Sequence, residues 1–206
     1  DSGVTLFDTA ALYGFGANET LVGRVLKAHR SRIVLCTKGG MTGQAVGPGG
    51  ALQRVIDGRP DSLLRDCEAS LRRMQVEYID LYQMHHIDRD TPWEEIWEAM
   101  EQLRREGKII YAGSSNFAGW HIAQAQERAT ARHCLGLVSE QSLYNLTRRT
   151  IELEVIPACQ SYGLGLIPWS PLAGGLLTGK YTRENPSPEG ARYADVEGNQ
   201  RFAERK

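Results

Sequence analysis

The chain has 206 residues, a formal net charge of −1 and 41% hydrophobic residues, a composition typical of a well-packed globular core. The near-neutral charge provides no basic face for nucleic acid or for an anionic membrane surface. The sequence has no apolar run of the roughly 18 residues that a membrane-spanning helix needs. We therefore expect neither nucleic acid nor a membrane among its partners.

The four cysteines lie far apart and form no C-x-x-C pair: Cys36, Cys67, Cys134 and Cys159. A disulfide framework or a structural zinc site would show tighter spacing. We interpret the cysteines as reduced packing residues and expect no bound metal. Since the sequence also shows no secretory leader, the expected compartment is the cytoplasm.

Short apolar runs alternate with helical patterns along the chain. The predicted strands are residues 4–7, 33–37, 78–84, 109–113, 137–139 and 164–169. Their apolar character is nearly continuous, which indicates strands that are buried on both faces. Repeated strand–helix alternation predicts a parallel sheet.

The helices between these strands have apolar stripes and end signals. One stripe follows Pro60, which suits a first helical turn, and comprises Leu63, Leu64, Cys67, Leu71 and Met74. A second comprises Trp93, Ile96, Trp97, Met100 and Leu103. Thr91 and Glu94 fit a capping box at its start, and Gly107 fits its stop. In a later helix, Pro157 is expected to produce a kink.

Two segments interrupt this alternation. Residues 39–58 contain seven glycines and no clear period, which predicts a long mobile loop after the second strand. Residues 182–206 are polar and contain two prolines, which predicts a loop or a weakly ordered tail.

The distribution of polar residues favours a barrel over an open sheet. An open doubly wound sheet usually carries a glycine-rich dinucleotide turn after its first strand, and this sequence has none there. Polar residues instead follow several strands: Asp8, Lys38, His85, Ser115, Asn116 and Gln141. The active site of a (β/α)8 barrel lies at that end of the strands. We predict an α/β fold of the parallel (β/α)8 (TIM) barrel type.

Four polar side chains suit the reduction of a carbonyl group, three of them at these strand ends and the fourth, Tyr13, on the loop that follows Asp8. Hydride transfer to a carbonyl carbon leaves negative charge on oxygen, so a proton donor and a stabilising charge must be nearby. Tyr13 could donate the proton, and an ammonium group such as that of Lys38 favours loss of a phenol proton. Asp8 could hold Lys38 in place, and His85 could orient the substrate oxygen.

The sequence resembles the aldo-keto reductase superfamily over essentially its whole length. The similar segments occur in order: Phe7-Asp8-Thr9-Ala10 with Tyr13-Gly14, Thr37-Lys38, the run from Tyr78 to His85, Gly107-Lys108-Ile109 with Gly113 to Phe117, and Trp169 to Lys180. Gln141, Tyr144 and Asn145 fit the next strand end. Within the superfamily, the sequence resembles the branch with nucleotide-diphospho-keto-deoxysugar reductases and potassium-channel β-subunit-like reductases.

The resemblance implies a role for each matching residue. Tyr13 would be the general acid. Lys38, held by Asp8, would make loss of the Tyr13 proton easier, and His85 would orient the substrate oxygen. Ser115, Asn116 and Gln141 would bind the nicotinamide carboxamide, and Trp169 would stack on the ring. Contacts to the pyrophosphate of NADP(H) would come from Ser170, Pro171, Leu172, Ala173, Gly174 and Lys180. The cofactor would supply the hydride.

The sequence also departs from the family pattern. We expect residues 1–206 to form a single barrel domain without the first and eighth strands of the family. In the family, the eighth strand and the helix after it bind the 2′-phosphate of NADPH. A preference for NADPH over NADH therefore rests on the resemblance alone. Activity of this polypeptide by itself is therefore open, as is assembly into a homo-oligomer.

Alternatives to a carbonyl reductase stay open at this point. Potassium-channel β subunits resemble this family and bind nucleotide chiefly as a signal, although they tend to lack a histidine at the position of His85. A metal-dependent barrel hydrolase would hold a divalent ion with His85 and Asp8, and with Asp88 as a candidate third ligand, but Lys38 beside Asp8 would repel the metal. We expect the substrate to be a small carbonyl compound. Residues 84–89 and 140–146 resemble reductases that act on nucleotide-linked keto-deoxysugars. The alternative is a general aldehyde or ketone reductase.

Overall fold

The computed structural model of the chain describes residues 3–46, 51–186 and 188–191. The strands in these residues are β1 (Leu6–Asp8), β2 (Val34–Gly39), β3 (Met41–Val46), β4 (Ala51–Ile56), β5 (Ile79–Met84), β6 (Ile109–Ser115), β7 (Leu137–Leu143) and β8 (Gly165–Trp169). The α-helices are α1 (Ala17–Leu26), α2 (Pro60–Met74), α3 (Trp93–Arg105), α4 (Gly119–Ala131) and α5 (Val155–Tyr162). Short 3-10 segments span Tyr13–Gly16, Lys27–Arg32, Thr150–Glu152 and Ala173–Thr178.

The chain divides into two compact units. The first consists of Asp1–Ser142 and Glu152–Ile167, and the second of Leu143–Ile151 and Pro168–Lys206. The last residue of β7 and the last two residues of β8 therefore belong to the second unit. The main sheet lies almost entirely in the first unit.

The main sheet has the strand order β1-β2-β5-β6-β7-β8, so its strands are neighbours in the order in which they occur in the chain. The pairs from β1 to β7 are parallel, with Leu6 opposite Val34 and Ile79 opposite Ile109. A doubly wound sheet would reverse its order at a switch point. Because right-handed crossovers in an unreversed order place all the helices on one face, this topology agrees with the barrel prediction. The six strands lie at the predicted places.

The core lies between this sheet and the helices. Consecutive helices pack against one another from α1 to α5. Tyr82 of β5 is fully buried and its hydroxyl donates to the carbonyl of Leu63 in α2, which identifies the helix-facing side of β5. All four cysteines are free thiols, and all but Cys134 are buried. None of the helices in the described residues is long and apolar enough to cross a membrane.

The helix-end predictions are partly confirmed. Gly107 follows α3 with φ +71°, as expected for a glycine stop. The capping box is wrong, because the N-cap of α3 is Pro92 and the Thr91 hydroxyl donates to Asp88 instead. The predicted kink at Pro157 is also wrong. Since α5 begins at Val155, this proline lies in the first turn, where a backbone N–H has no intrahelical partner to lose.

The loop predicted for residues 39–58 is a β-hairpin. Strands β3 and β4 pair antiparallel, from Met41 opposite Ile56 to Val46 opposite Ala51. Residues 47–50 lie outside the described part of the chain. A Cβ atom on Gly43 would overlap the ring of Phe15, so the hairpin packs closely on the segment that begins with Tyr13. Residues 182–186 and 188–191 contain no helix or strand, and the rest of the predicted tail lies outside the described residues.

Candidate active site

The ends of β1, β2 and β5 bring Asp8, Lys38 and His85 together. Asp8 is the last residue of β1 and pairs with Cys36 in β2, whereas Lys38 pairs with Gln83 in β5. His85 directly follows β5, and its backbone N–H donates to the carbonyl of Gly39. The carboxyl ends of these three strands therefore lie side by side, as the sequence predicted.

The Asp8 carboxylate is partly exposed and forms a polar network by accepting hydrogen bonds from three buried side chains. Its Oδ2 atom accepts from Lys38 Nζ at 2.5 Å and from Gln141 Nε2 at 3.2 Å. Its Oδ1 atom accepts from Gln83 Nε2 at 2.9 Å. Lys38 is fully buried and also donates to the carbonyl of Thr9 at 2.9 Å, so its charge is both paired and hydrogen-bonded. A buried ammonium group is tolerated only with such partners.

Tyr13 lies above this network in the loop after β1. Its ring centroid is 5.2 Å from Lys38 Nζ and 5.7 Å from the His85 ring, with the two rings nearly perpendicular. The Tyr13 side chain is 41% exposed, so a small molecule has access to it. The four side chains that the sequence predicted as one set therefore lie together.

His85 is held neutral by its surroundings. Burial is the main cause that lowers its pKa from 6.5 to about 4, and the Lys38 ammonium acts in the same direction. Arg54 of the hairpin also lowers this pKa, while Asp8 opposes it. Nδ1 of His85 is buried and has no hydrogen-bond partner among the described residues. At neutral pH this side chain can therefore form hydrogen bonds without carrying a charge.

Gln83 is a site residue that the sequence analysis missed. It is fully buried, it binds Asp8, and its Oε1 atom has no partner among the described residues. A signal for it does exist in the sequence. Because side chains alternate along a strand, Gln83 shares a face with Leu81 and His85, and an amide on that apolar face needs a polar partner.

Ser115, Asn116 and Gln141 form a second polar group at the ends of β6 and β7. Ser115 Oγ donates to the carbonyl of Gln141 at 2.9 Å, and the Asn116 backbone N–H donates to the same carbonyl at 3.0 Å. Asn116 has φ +61° and its Nδ2 atom donates to Ser115 Oγ at 2.9 Å and to the His85 carbonyl at 3.3 Å. Gln141 also binds Asp8, so one side chain links this amide and hydroxyl group to the charged network.

The remaining predicted cofactor residues lie in the second unit. Trp169 ends β8 and is about one third exposed. Pro171 and Leu172 lead into the 3-10 segment, within which Ala173 and Gly174 have positive φ, as has Ser170 before it. Nζ of Lys180 would lie 3.2 Å from a Cβ atom on Gly175, so the ammonium group lies against this left-handed turn. Successive N–H groups in such turns, beside a cation, are typical of anion sites.

Several known proteins are similar to this chain in sequence. A profile of the Aldo/keto reductase family matches residues 1–204. "Uncharacterized oxidoreductase YrpG" of Bacillus subtilis (strain 168) is 45% identical over 95% of this chain and 62% of its own length. "Putative voltage-gated potassium channel subunit beta" of Schizosaccharomyces pombe is 36% identical over 94% of this chain and 56% of its length. "Aflatoxin B1 aldehyde reductase member 2" of Homo sapiens is 34% identical over 90% of this chain and 49% of its length.

The chain is also similar to a solved structure. The glycerol dehydrogenase AKR11B4 from Gluconobacter oxydans superposes with a TM-score of 0.78 and 33% sequence identity, over 94% of this chain and 57% of that chain. The present chain thus spans between 49% and 62% of the length of these relatives. These matches confirm both the predicted fold class, a parallel (β/α)8 barrel, and the branch with potassium-channel β-subunit-like proteins. The chain belongs to the aldo/keto reductase family.

Proposed function

We propose that the chain carries the catalytic set of an NADPH-dependent reductase, which acts on the carbonyl of an aldehyde, a ketone or a keto-sugar. The observation that carries this proposal is the grouping of Tyr13 and His85 above the ion pair that Asp8 forms with the buried Lys38. The coarser statement, an oxidoreductase of the aldo/keto reductase family, already follows from the comparisons.

In this proposal Tyr13 donates the proton to the substrate oxygen. Charge develops on that oxygen as the carbonyl is reduced, and a positioned donor lowers the barrier. The Lys38 ammonium supports loss of the phenol proton through its field, and its position is fixed by Asp8 and Thr9. Asp8 in turn is held by the amide of Gln83, which we assign as a positioning residue.

His85 orients the substrate oxygen in this proposal. With a pKa of about 4 the imidazole is neutral at neutral pH, so it contributes a hydrogen bond and does not compete with Tyr13 as an acid. Its position beside the Tyr13 ring would direct both groups at one oxygen.

The polar groups fit a nicotinamide cofactor, which would supply the hydride when bound. A carboxamide offers two N–H donors and one acceptor, and Ser115, Asn116 and Gln141 together present hydroxyl and amide groups of both kinds. They adjoin Asp8 and His85 through direct hydrogen bonds. In the second unit, Trp169 would stack on the ring and residues 170–174 with Lys180 would bind the pyrophosphate.

The test of this proposal is a reduction assay with one matched pair of variants. We expect loss of NADPH absorbance with short aldehydes, ketones and keto-sugars, by the 206-residue chain or by a longer gene product that contains it. Tyr13→Phe should abolish turnover and spare NADPH binding. Tyr111→Phe, on a side chain that is 46% exposed, should change neither. Full turnover in Tyr13→Phe would overturn the assignment of the acid.

The substrate class within this reaction is proposed from similarity. Relatives are named for an aflatoxin aldehyde, a glycerol and a versiconal hemiacetal acetate, so the family name alone selects no substrate. The resemblance of residues 84–89 and 140–146 to nucleotide-linked keto-deoxysugar reductases adds that class to the panel. Comparing kcat/KM for the sugar and for its simple ketone analogue decides between them.

A second candidate is a nucleotide-binding regulatory barrel with little turnover, favoured by the relative that is named as a potassium channel subunit. This candidate predicts one slow turnover with tight retention of the oxidised cofactor, whereas the reductase predicts repeated turnover. The structure also bears on the metal hydrolase considered above, because Asp8 is already engaged by Lys38. Among the described residues, no group of three His, Cys, Asp or Glu side chains could hold a metal ion.

Three broader features complete the proposal. Residues 1–206 would belong to a single barrel domain, as the length of the family match supports. The protein would act in the cytoplasm. Sedimentation of the purified protein would decide whether it forms a homo-oligomer.

A further inference from the structure

Glu140 is a buried carboxyl group in β7 that the proposed reaction does not use. Its Oε1 atom accepts from the backbone N–H of Phe117 at 3.1 Å and from Ser142 Oγ at 2.7 Å. Its Oε2 atom accepts from Ser114 Oγ at 2.5 Å. The side chain is fully buried.

The partners of Glu140 adjoin all three proposed carboxamide ligands in the sequence. Ser114 precedes Ser115, Phe117 follows Asn116, and Ser142 follows Gln141. The Asn116 backbone N–H itself also favours the ionised carboxyl. One side chain therefore ties together the ends of β6 and β7 and the turn after β6, where these ligands are presented.

The hydrogen bonds of Glu140 suit an ionised carboxylate, because every partner can donate. The Ser114 hydroxyl has a second acceptor, the carbonyl of Ser139 at 3.3 Å, and a single proton can serve only one of the two. A protonated Glu140 could therefore donate to Ser114, which would turn to Ser139. The site can thus hold either protonation state without unfolding, although the bonds from Phe117 and Ser142 lose their charge assistance.

The charge on Glu140 is not balanced by a cation in the described residues. Burial raises its pKa from 4.5 to about 7, while its hydrogen bonds act in the opposite direction. From α5 it faces the thiol of Cys159, whose pKa is raised to about 11 by burial, so this neighbour stays neutral. The groups that face it from β6, β7 and the turn before α4 are hydroxyls and N–H groups.

We infer that Glu140 is a positioning residue, which sets Ser115, Asn116 and Gln141 in the arrangement that binds the nicotinamide carboxamide, and that it does so best when ionised. This inference rests on the proposed function. Its consequence is that NADPH affinity depends on the ionisation of a group that never touches the cofactor.

The test compares two ligands in fluorescence titrations of the same folded protein. NADPH carries the carboxamide, whereas 2′-phospho-ADP-ribose lacks the nicotinamide altogether. We expect Glu140→Gln to weaken NADPH binding roughly threefold to tenfold, the range of one ordinary hydrogen bond, because the role of Glu140 is indirect, and to leave 2′-phospho-ADP-ribose binding unaffected. Ser114→Ala, a milder change that keeps the carboxyl, should weaken NADPH alone by a smaller factor.

The pH dependence gives an independent readout. Wild-type affinity for NADPH should fall between about pH 8 and about pH 6, as Glu140 is protonated, and Glu140→Gln should abolish this difference. Asp66→Asn is the matched control, because Asp66 is also a buried carboxyl with a pKa raised by burial, yet it lies in α2 and accepts from the backbone N–H of Gly40, between β2 and β3. This control should keep the wild-type pH dependence.

The outcomes separate the inference from the proposed function. If the folded wild-type protein, including a longer gene product, binds 2′-phospho-ADP-ribose and NADPH equally at every pH, the carboxamide site and with it the proposed function fail. If NADPH binds better but Glu140→Gln changes nothing, or weakens both ligands equally, the positioning role is overturned and the proposed function stands.

Discussion

At the residue scale, the ion pair between Asp8 and the buried Lys38 decides whether the site can work. Lys38 has no exposed surface and its charge is balanced by Asp8. Lys38→Met should lower turnover at least about a hundredfold, since general acid catalysis contributes that much, while NADPH still binds. Steady-state rates and fluorescence titrations measure the two effects. Lys27→Met, at an exposed lysine that binds Gln75, is the control and should keep the wild-type rate. A Lys38→Met enzyme with near-normal turnover would remove Lys38 from the mechanism.

The protonation state of His85 leads to a second prediction. Because its pKa is lowered to about 4, the imidazole stays neutral from about pH 5.5 to about pH 8. The profile of kcat/KM against pH should therefore contain no step from His85 in this range. His85→Gln should reduce kcat/KM and leave the shape of the profile unchanged. An inflection near pH 6.5 that disappears in this variant would mean that a charged His85 takes part.

At the element scale, the close packing of β6 against its neighbours positions the network below Tyr13. A Cβ atom on Gly113 would lie 2.7 Å from Ser139 Oγ, 3.0 Å from Leu81 Cδ1 and 3.1 Å from Gln83 Cγ. Gly113→Ala should cost about 1–3 kcal/mol of unfolding free energy through overpacking, and should displace Gln83 from Asp8 with a loss of turnover. Urea denaturation and the reduction assay measure both.

A glycine in another strand provides the control for that change. A Cβ atom on Gly165 would meet only the carbonyl of Val138, at an ordinary 3.8 Å. Gly165→Ala should thus cost less than about 0.5 kcal/mol, as for a substitution that creates no clash. Equal destabilisation by the two substitutions would show that the contacts of Gly113 are not what limits its size.

The strands also show which parts of the fold can be predicted from the sequence and which cannot. Buried parallel strands such as β2 and β5 need apolar side chains on both faces, so they leave long apolar runs that locate them well. The β3–β4 hairpin leaves no such run, because residues such as Gly43 and Gln53 interrupt it and, among the described strands, β3 and β4 pair with no third strand. Gln83 was missed for a related reason: its need for Asp8 becomes visible only when β1 and β5 are brought to the two sides of β2.

At the scale of the whole molecule, two buried groups give opposite pH dependences of stability. His85 has a pKa of 6.5 when unfolded and about 4 when folded, so the unfolded state binds more protons and stability is lost as pH falls through this window. Glu140 has a pKa of 4.5 when unfolded and about 7 when folded, so the folded state binds more protons and stability is lost as pH rises. Between pH 4.5 and 6.5 the two slopes largely cancel.

Removing one of these two groups should reveal the pH dependence of stability that the other group causes. The pKa of each group differs by about 2.5 between the folded and unfolded states, which corresponds to roughly 3 kcal/mol of unfolding free energy. The unfolding free energy of wild type minus that of Glu140→Gln should therefore fall by about that amount from pH 4.5 to 7, and the same difference for His85→Gln should rise by about that amount from pH 4 to 6.5. Denaturation at a series of pH values measures both differences. The contributions of the other ionisable groups are the same in wild type and variant, so they cancel in each difference. A flat difference for Glu140→Gln would mean that the carboxyl titrates alike in the folded and unfolded states, and that its burial is offset by the three hydrogen bonds that it accepts.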